Sequence, residues 1–237
     1  MNLYKKVLDV ENFMHLYKKT IFITGATGFI GLWILRTIEY LNKTLNLNIK
    51  VIVLLRSKKK KQTLEQFKNT KIEYISGNIK SFSFKKRKID HIIHLAAETS
   101  KKKNKDHMEV INTIINGTIR LIKYSNLVKA SSISYLSSGG VYGKNCDSIS
   151  GWNENDISSP TIYDEVATYG LSKKCAENIL IQSFKKLNKL KALNIFRAFS
   201  FGGSYFNYDN HFAFDDFIKK RIQQKNISII NNGKSLR

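Results

Sequence analysis

The stretch Ile21-Phe22-Ile23-Thr24-Gly25-Ala26-Thr27-Gly28-Phe29-Ile30-Gly31 decides the fold. A short apolar run gives way to closely spaced glycines, and from Phe29 to Leu41 apolar residues return at helical spacing. Strand, glycine-rich turn and helix in that order form a phosphate-binding element. The glycines let the backbone turn tightly and approach a pyrophosphate, while the helix N-terminus offers unbonded N–H groups and the positive end of its dipole. Gly25, Thr27, Gly28, Phe29, Ile30 and Gly31 are therefore the candidate dinucleotide contacts.

Outward from this motif, strand and helix signals alternate along the chain. Thr20 to Thr24, Ile49 to Leu55, Lys71 to Ser76, Ile89 to Leu95, Ser132 to Ser137 and Ala192 to Phe199 read as strands. Helical patterns run from Phe29 to Leu41, from about Asp106 to Tyr124 and from about Tyr163 to Lys186. The order argues for parallel βαβ units, and so for an α/β chain with a doubly wound parallel sheet covered on both faces. Residues 1–19 read as an N-terminal extension, 20–200 as the dinucleotide-binding domain, and 201–237 as the start of a further lobe. The polar segment Asn145 to Ile162 holds the only proline, Pro160, and reads as a loop over the sheet edge.

Ligands of doubly wound sheets bind beyond the carboxyl ends of the strands, and three features fall there. His94-Leu95-Ala96-Ala97 closes the fourth strand, where small residues let a cofactor approach the backbone. Ser137-Ser138-Gly139-Gly140-Val141-Tyr142-Gly143 closes the fifth. Tyr169-Gly170-Leu171-Ser172-Lys173 opens a helix, and its i,i+4 spacing puts Tyr169 and Lys173 on one face. Each alone is a weak signal; in this order, behind a dinucleotide turn, they form one constellation.

Composition narrows the class. The 237 residues, 42% hydrophobic, suffice for one buried core. A net charge of +22 raises nucleic acid as a partner. The lysines, however, lie in scattered runs, Lys58 to Lys61, Lys85 to Lys88 and Lys101 to Lys103, near element ends and loops. Abundant Asn and Ile and a single Pro match the codon bias of an AT-rich genome. No aromatic-interleaved basic motif accompanies the charge, so nucleic acid is disfavoured, and the basic surface suits anionic ligands such as nucleotide diphosphates. Cys146 and Cys175 have no metal-ligand spacing, no metal site is expected, and the pair fits a reducing cytoplasm. Residues 1–19 lack a signal-peptide core, and no apolar run approaches the roughly 20 residues that span a bilayer. The expectation is a cytoplasmic protein with no membrane partner.

Taken together, Thr24 to Gly31, His94 to Ala97, Ser138 to Gly143, Tyr169 with Lys173, and Arg197 to Gly203 resemble the extended short-chain dehydrogenase/reductase family, in its nucleotide-sugar epimerase, dehydratase and reductase branch. Thr113-Ile-Ile-Asn-Gly-Thr118, Asp209-Asn-His211-Phe-Ala213 and Phe217-Ile218 look like the sub-branch of CDP-abequose-type 4-keto-6-deoxy-sugar reductases. The resemblance implies a Rossmann fold, NAD or NADP as cofactor, a nucleotide-diphosphate sugar as substrate, and homodimer formation. It also implies roles. Tyr169 is the general acid/base at the sugar oxygen, Lys173 lowers the phenol's pKa and holds the nicotinamide ribose, and Ser138 orients the same oxygen. Leu95, Ala96 and Ala97 line the cofactor, Asn78 and Ile79 lie near the adenine, and Thr99, Gly139 and His211 face the substrate.

The end of the second strand bears on the cofactor. An acidic residue there would bond a ribose 2′-OH, but the chain reads Leu54-Leu55-Arg56-Ser57, and Arg56 would pair with a 2′-phosphate, favouring NADP over NAD. Dehydratases of the branch carry Asp-Glu after the active-site hydroxyl residue; Gly139-Gly140 stands here and argues against 4,6-dehydration. That leaves 4-epimerase and 4-ketoreductase. Gly203-Ser204 and Asp216 replace the branch's Gly-Pro and Asn. The resemblance also implies a longer substrate lobe after Asn231-Asn-Gly233-Lys-Ser-Leu-Arg237, so the lobe is expected to be incomplete. A catalytically dead fragment and a non-catalytic nucleotide- or RNA-binding derivative stand as alternatives.

Overall fold

The computed structural model describes residues 10–97, 106–143, 152–156, 158–163, 167–203, 205 and 213–227, with backbone only at 10, 11, 58, 59 and 213–216. Among them, strands β1 (Thr20–Thr24), β2 (Lys50–Leu55), β3 (Ile72–Ser76), β4 (His91–His94), β5 (Ser132–Ser138) and β6 (Ala192–Ala198) form one six-stranded sheet in the order β3-β2-β1-β4-β5-β6. Every pairing is parallel. The strand order reverses between β1 and β4, which opens a crevice beyond their carboxyl ends.

The two-residue period of β1 and β2 divides the core. Ile21, Ile23, Val51, Val53 and Leu55 face helix α1 (Phe29–Leu45), which buries Leu32, Leu35, Ile38 and Leu41 against them. Phe22, Ile52, Leu54, Ile92, Ile133 and Tyr135 point the other way. There they meet Leu121 and Tyr124 of α3 (Gly117–Val128) and Ala176 and Leu180 of α4 (Ala167–Phe184). Buried on both faces, the central strands read as nearly continuous apolar runs.

Element bounds follow the sequence reading with local differences. Helix α1 runs on to Leu45 and ends at Asn46 in a left-handed conformation (φ 49°). The helix expected over Asp106 to Tyr124 is three linked segments: α2 (His107–Ile111), a π-helical stretch (Asn112–Asn116) and α3. Asp106 caps α2 by accepting from the Glu109 N–H at 3.0 Å. Lys58 to Lys61 lie in a 3₁₀ helix (Lys58–Leu64) just past the end of β2. Tyr163 is exposed in a turn, so the described part of α4 begins at Ala167.

The crossover from β3 to β4 contains no helix. It is held instead by α3: Arg120 donates twice to the Phe82 carbonyl (3.1 and 2.5 Å), and the Tyr124 hydroxyl donates to the Lys85 carbonyl (3.0 Å). Ile79, Phe82 and Ile89 of the crossover are buried in the core. The described parts of Asn145 to Ile162 carry neither helix nor strand. Helix α5 (Ala213–Ile222) follows β6, and no described helix is long and apolar enough to cross a membrane.

Candidate functional site

At the end of β1 the chain turns through Gly25, whose φ of +74° lies in the left-handed region. A Cβ there would sit 2.9 Å from the Ala96 nitrogen and the Leu95 carbonyl carbon, and one at Gly31 only 2.5 Å from the Gly25 oxygen. Bare backbone at these two positions lets the turn lie against the end of β4 and lets α1 start immediately beneath it. Gly28 precedes α1 with no side-chain cap, so the first N–H groups of a 17-residue helix face outward beside the exposed Gly28 and half-buried Thr27, Phe29 and Ile30. This cradle suits a pyrophosphate, which needs N–H donors and close approach rather than side chains.

A buried relay fixes the facing loop. Thr118 donates to the Ile114 carbonyl at 2.6 Å, so toward His94 it can only accept, and His94 Nε2 lies 3.4 Å from its Oγ1. The proton therefore sits on Nε2, and Nδ1 accepts from the Thr24 hydroxyl at 2.7 Å. Thr24 Oγ1 in turn accepts from the Ala96 N–H at 3.2 Å. Burial, helped by the nearby Lys173 charge, pushes His94 down to about 3. The neutral ring ties β1, β4 and α3 together behind Leu95, Ala96 and Ala97, all half-buried.

Beyond β5, Ser138 accepts from the Gly140 N–H at 3.1 Å and starts a short 3₁₀ turn (Gly139–Tyr142). A Cβ on Gly170 would lie 2.3 Å from the Gly140 oxygen, so the two glycines bring the first turn of α4 into backbone contact with this turn. Tyr169 is thereby placed to share a hydrogen bond with Ser138. Lys173 is wholly buried one turn on, its Nζ donating to the Leu136 carbonyl at 2.6 Å. The ammonium stands 4.6 Å from the Tyr135 ring centre and 5.8 Å from that of Tyr169. The structure thus brings the i,i+4 pair Tyr169 and Lys173 to the strand end that carries Ser138.

Their proton affinities differ in part from expectation. Burial pushes Tyr169 up to about 12 against the opposing Ser138 hydrogen bond, so the phenol is raised where the sequence reading expects Lys173 to lower it. Desolvation of the hydroxyl outweighs the Ser138 hydrogen bond. Burial likewise pushes Lys173 down to about 7, opposed by Glu177.

The sequence reading missed a second layer. Glu177, buried one turn past Lys173, accepts from the Ser137 hydroxyl and from Arg197 (Nε at 3.2 Å to both carboxylate oxygens, one terminal nitrogen at 2.8 Å). Arg197 also donates to the Tyr142 hydroxyl and the Glu154 carbonyl, both at 2.8 Å. Tyr142 stacks on Trp152 (5.1 Å between ring centres) and Phe199 (6.2 Å). The signal available in sequence was the run of i,i+4 spacings from Tyr169 through Lys173 to Glu177.

The remaining candidates scatter. Arg56 is exposed just past β2, and Asn78 lies just past β3. Ile79 is buried in the core, where a Cβ on Gly117 would come within 3.1 Å of it. Gly139 faces the Phe199 ring, 2.4 Å from where a Cβ would stand. Thr99 and His211 lie outside the described residues. Among the described residues a cavity of about 730 Å³ runs along β4, β5 and β6, lined by Ile93, Ser134, Leu136, Phe196, Arg197 and Phe199.

Residues 21–237 match the NAD dependent epimerase/dehydratase family. The chain belongs to this family. A dTDP-D-glucose 4,6-dehydratase of Dictyostelium discoideum is 30% identical over 235 residues, 94% of this chain and 52% of that protein. Two solved structures share the fold. One is a UDP-glucuronic acid 4-epimerase from Bacillus cereus in complex with UDP-glucuronic acid and NAD (TM-score 0.70, 23% identity, 90% of this chain and 66% of that one). The other is a UDP-glucose 4-epimerase from Thermotoga maritima with UDP-glucose (TM-score 0.72, 20% identity, 91% and 67%). The chain of this epimerase/dehydratase family member thus spans about half the length of the dehydratase and about two thirds of either epimerase.

The His94 relay carries a pH signature. An unfolded histidine takes up its proton near pH 6.5, whereas buried His94 resists protonation down to about 3. Between those values the unfolded state binds more protons, so His94 costs stability as pH falls below about 6.5. Urea unfolding of wild type and His94→Gln between pH 7.5 and pH 4.5 is expected to show the wild type losing ground to the variant as acid is added. Parallel curves would contradict the buried neutral ring.

Proposed function

We propose that the chain is an NAD(P)-dependent oxidoreductase or epimerase that acts at C4 of a nucleotide-activated sugar. The observation that carries this reading is the convergence of Ser138, Tyr169 and Lys173 on the strand ends that also hold the Gly25–Gly31 cradle. When bound, the nicotinamide supplies the acceptor and donor of hydride. Gly25, Thr27, Gly28, Phe29, Ile30 and Gly31 hold the pyrophosphate on the first N–H groups of α1. Leu95, Ala96, Ala97 and Lys173 line the nicotinamide half, and Asn78 and Ile79 the adenine end. Thr99, Gly139 and His211 meet the sugar nucleotide.

Ser138 hydrogen-bonds the sugar oxygen and sets its lone pairs toward Tyr169. In the reducing direction Tyr169 gives its phenolic proton to that oxygen as the carbonyl carbon gains hydride; in the oxidising direction it takes the proton back. Burial raises the phenol to about 12, so Tyr169 carries its proton at neutral pH; passing that proton on calls for the Lys173 charge to bring the phenol nearer the working pH. Gly139 and Gly140 place no carboxylate beside Ser138, and 4,6-elimination requires an acid and a base near the sugar in addition to hydride transfer. The reading is therefore a 4-ketoreductase or a 4-epimerase.

The cofactor reading favours NADP. Arg56 is exposed at the end of β2, where a carboxylate would select the unphosphorylated ribose.

Two variants test these assignments. Tyr169→Phe keeps the ring and removes the proton; turnover of a nucleotide-linked 4-keto sugar is expected to fall about 10²- to 10⁴-fold with cofactor affinity unchanged. Retained turnover would reject Tyr169 as the acid/base. Arg56→Ala is expected to weaken NADPH binding about tenfold, the loss of one charge-assisted contact, and to leave NADH within about twofold. Equal effects on both would remove the case for NADP.

A further inference from the structure

Arg197 and Ser137 hold a single buried carboxylate one helical turn beyond Lys173. Glu177 follows Lys173 by one turn of α4, and its oxygens are already engaged by Arg197 from β6 and Ser137 from β5. Ser137 is the residue next to Ser138, so the Glu177 contact reaches the backbone that carries the active hydroxyl. Arg197 reaches onward to Tyr142 and the Glu154 carbonyl, which close the other end of the Ser138 turn. A carboxylate in the Tyr/Lys helix is thus bonded to the two strand ends that flank the site.

We propose that Glu177 is a positioning residue for the reaction: bonded to Ser137 and Arg197 and one turn of α4 beyond Lys173, it places its charge on the helix that carries Tyr169 and Lys173 and fixes the Ser137–Ser138 strand end. Buried ion pairs hold their geometry only when the remaining hydrogen-bonding capacity is met, and Ser137 together with the fork of Arg197 meets it here. The charged and titratable groups that face Lys173 are few. Glu177 and Tyr169 approach from α4, His94 from β4, and the Tyr135 ring and Leu136 carbonyl from β5. Of these, only Glu177 carries negative charge while both phenols are protonated. Arg197 draws on that charge, which leaves Lys173 the weaker claimant.

The proposal rests on the functional reading for its meaning, but the placing of its charge is tested without turnover. With lysine labelled with ¹³C at Cε, the resonance lost in Lys173→Met identifies Lys173, whose titration near pH 7 stands apart from exposed lysines near 10.4. Opposite displacements are expected. Glu177→Gln removes the opposing charge and moves the Lys173 midpoint to lower pH. Arg197→Gln removes a positive charge from the Glu177 carboxylate and moves the midpoint to higher pH. These signs follow from the charges alone, and the positioning role itself is read from a loss of kcat without a loss of cofactor affinity. If Glu177→Gln does not fold, the upward movement in Arg197→Gln carries the test. Midpoints that stay in place, or move the same way in both folded variants, would overturn the proposal. Where wild-type turnover exists, Glu177→Gln is also expected to lower kcat about 10- to 100-fold, the range for a displaced active-site group, with the cofactor KM within about twofold. Absent turnover in the wild type would count against the functional reading and leave the titration test intact.

Discussion

Burying the ammonium of Lys173 is the constraint around which the second half of the structure is arranged. Removing such a charge from water is costly, and the usual response is loss of the proton. Here the Leu136 carbonyl accepts from Nζ, the Tyr135 ring lies within cation–π distance, and Glu177 supplies the opposing charge. The result is an amine poised near neutrality, low enough to respond to a bound ligand and high enough to remain partly charged. The Glu177 carboxylate in turn brings in Arg197, and through it Tyr142 and the end of β6. The polar contacts that join α4 to two strands thus run through Lys173 and Glu177.

The first half of the site rests on the opposite device, the absence of side chains. Gly25 and Gly31 allow backbone to meet backbone where any Cβ would clash, and the strand order reverses at the same place. The Thr24–His94–Thr118 relay then holds the loop after β4 against that turn without presenting a charge to it. Bare backbone at β1 and a charged lysine on α4 face one crevice from two sides. A polyanionic dinucleotide with a reactive far end needs both.

How much of this was legible in sequence depended on how local the signal is. The β1–α1 turn was readable because its glycine spacing and the change from strand to helix period lie within a dozen residues. The Tyr169/Lys173 pair was readable as an i,i+4 face, and Ser138 as a strand end. The π-helical stretch at Asn112–Asn116 was not, since Thr113-Ile-Ile-Asn scans as ordinary helix. The helix-free crossover before β4 depends on Arg120 and Tyr124, some 40 residues downstream. The burial of the Tyr169 phenol was not legible either, since spacing shows that a lysine is near but not how dry the hydroxyl is. Glu177 needed its partners Ser137 and Arg197 in view before a helix-face glutamate could be told from a solvated one.

The central claim is that the glycine turn and the buried lysine together bind a nicotinamide dinucleotide. Titration of the folded chain with NADPH and with NADH, followed by nicotinamide fluorescence, tests it most directly. The account predicts saturable one-to-one binding with NADPH the tighter ligand, and enhanced emission as the ring leaves water. A chain that shows cooperative unfolding yet binds neither dinucleotide would contradict it.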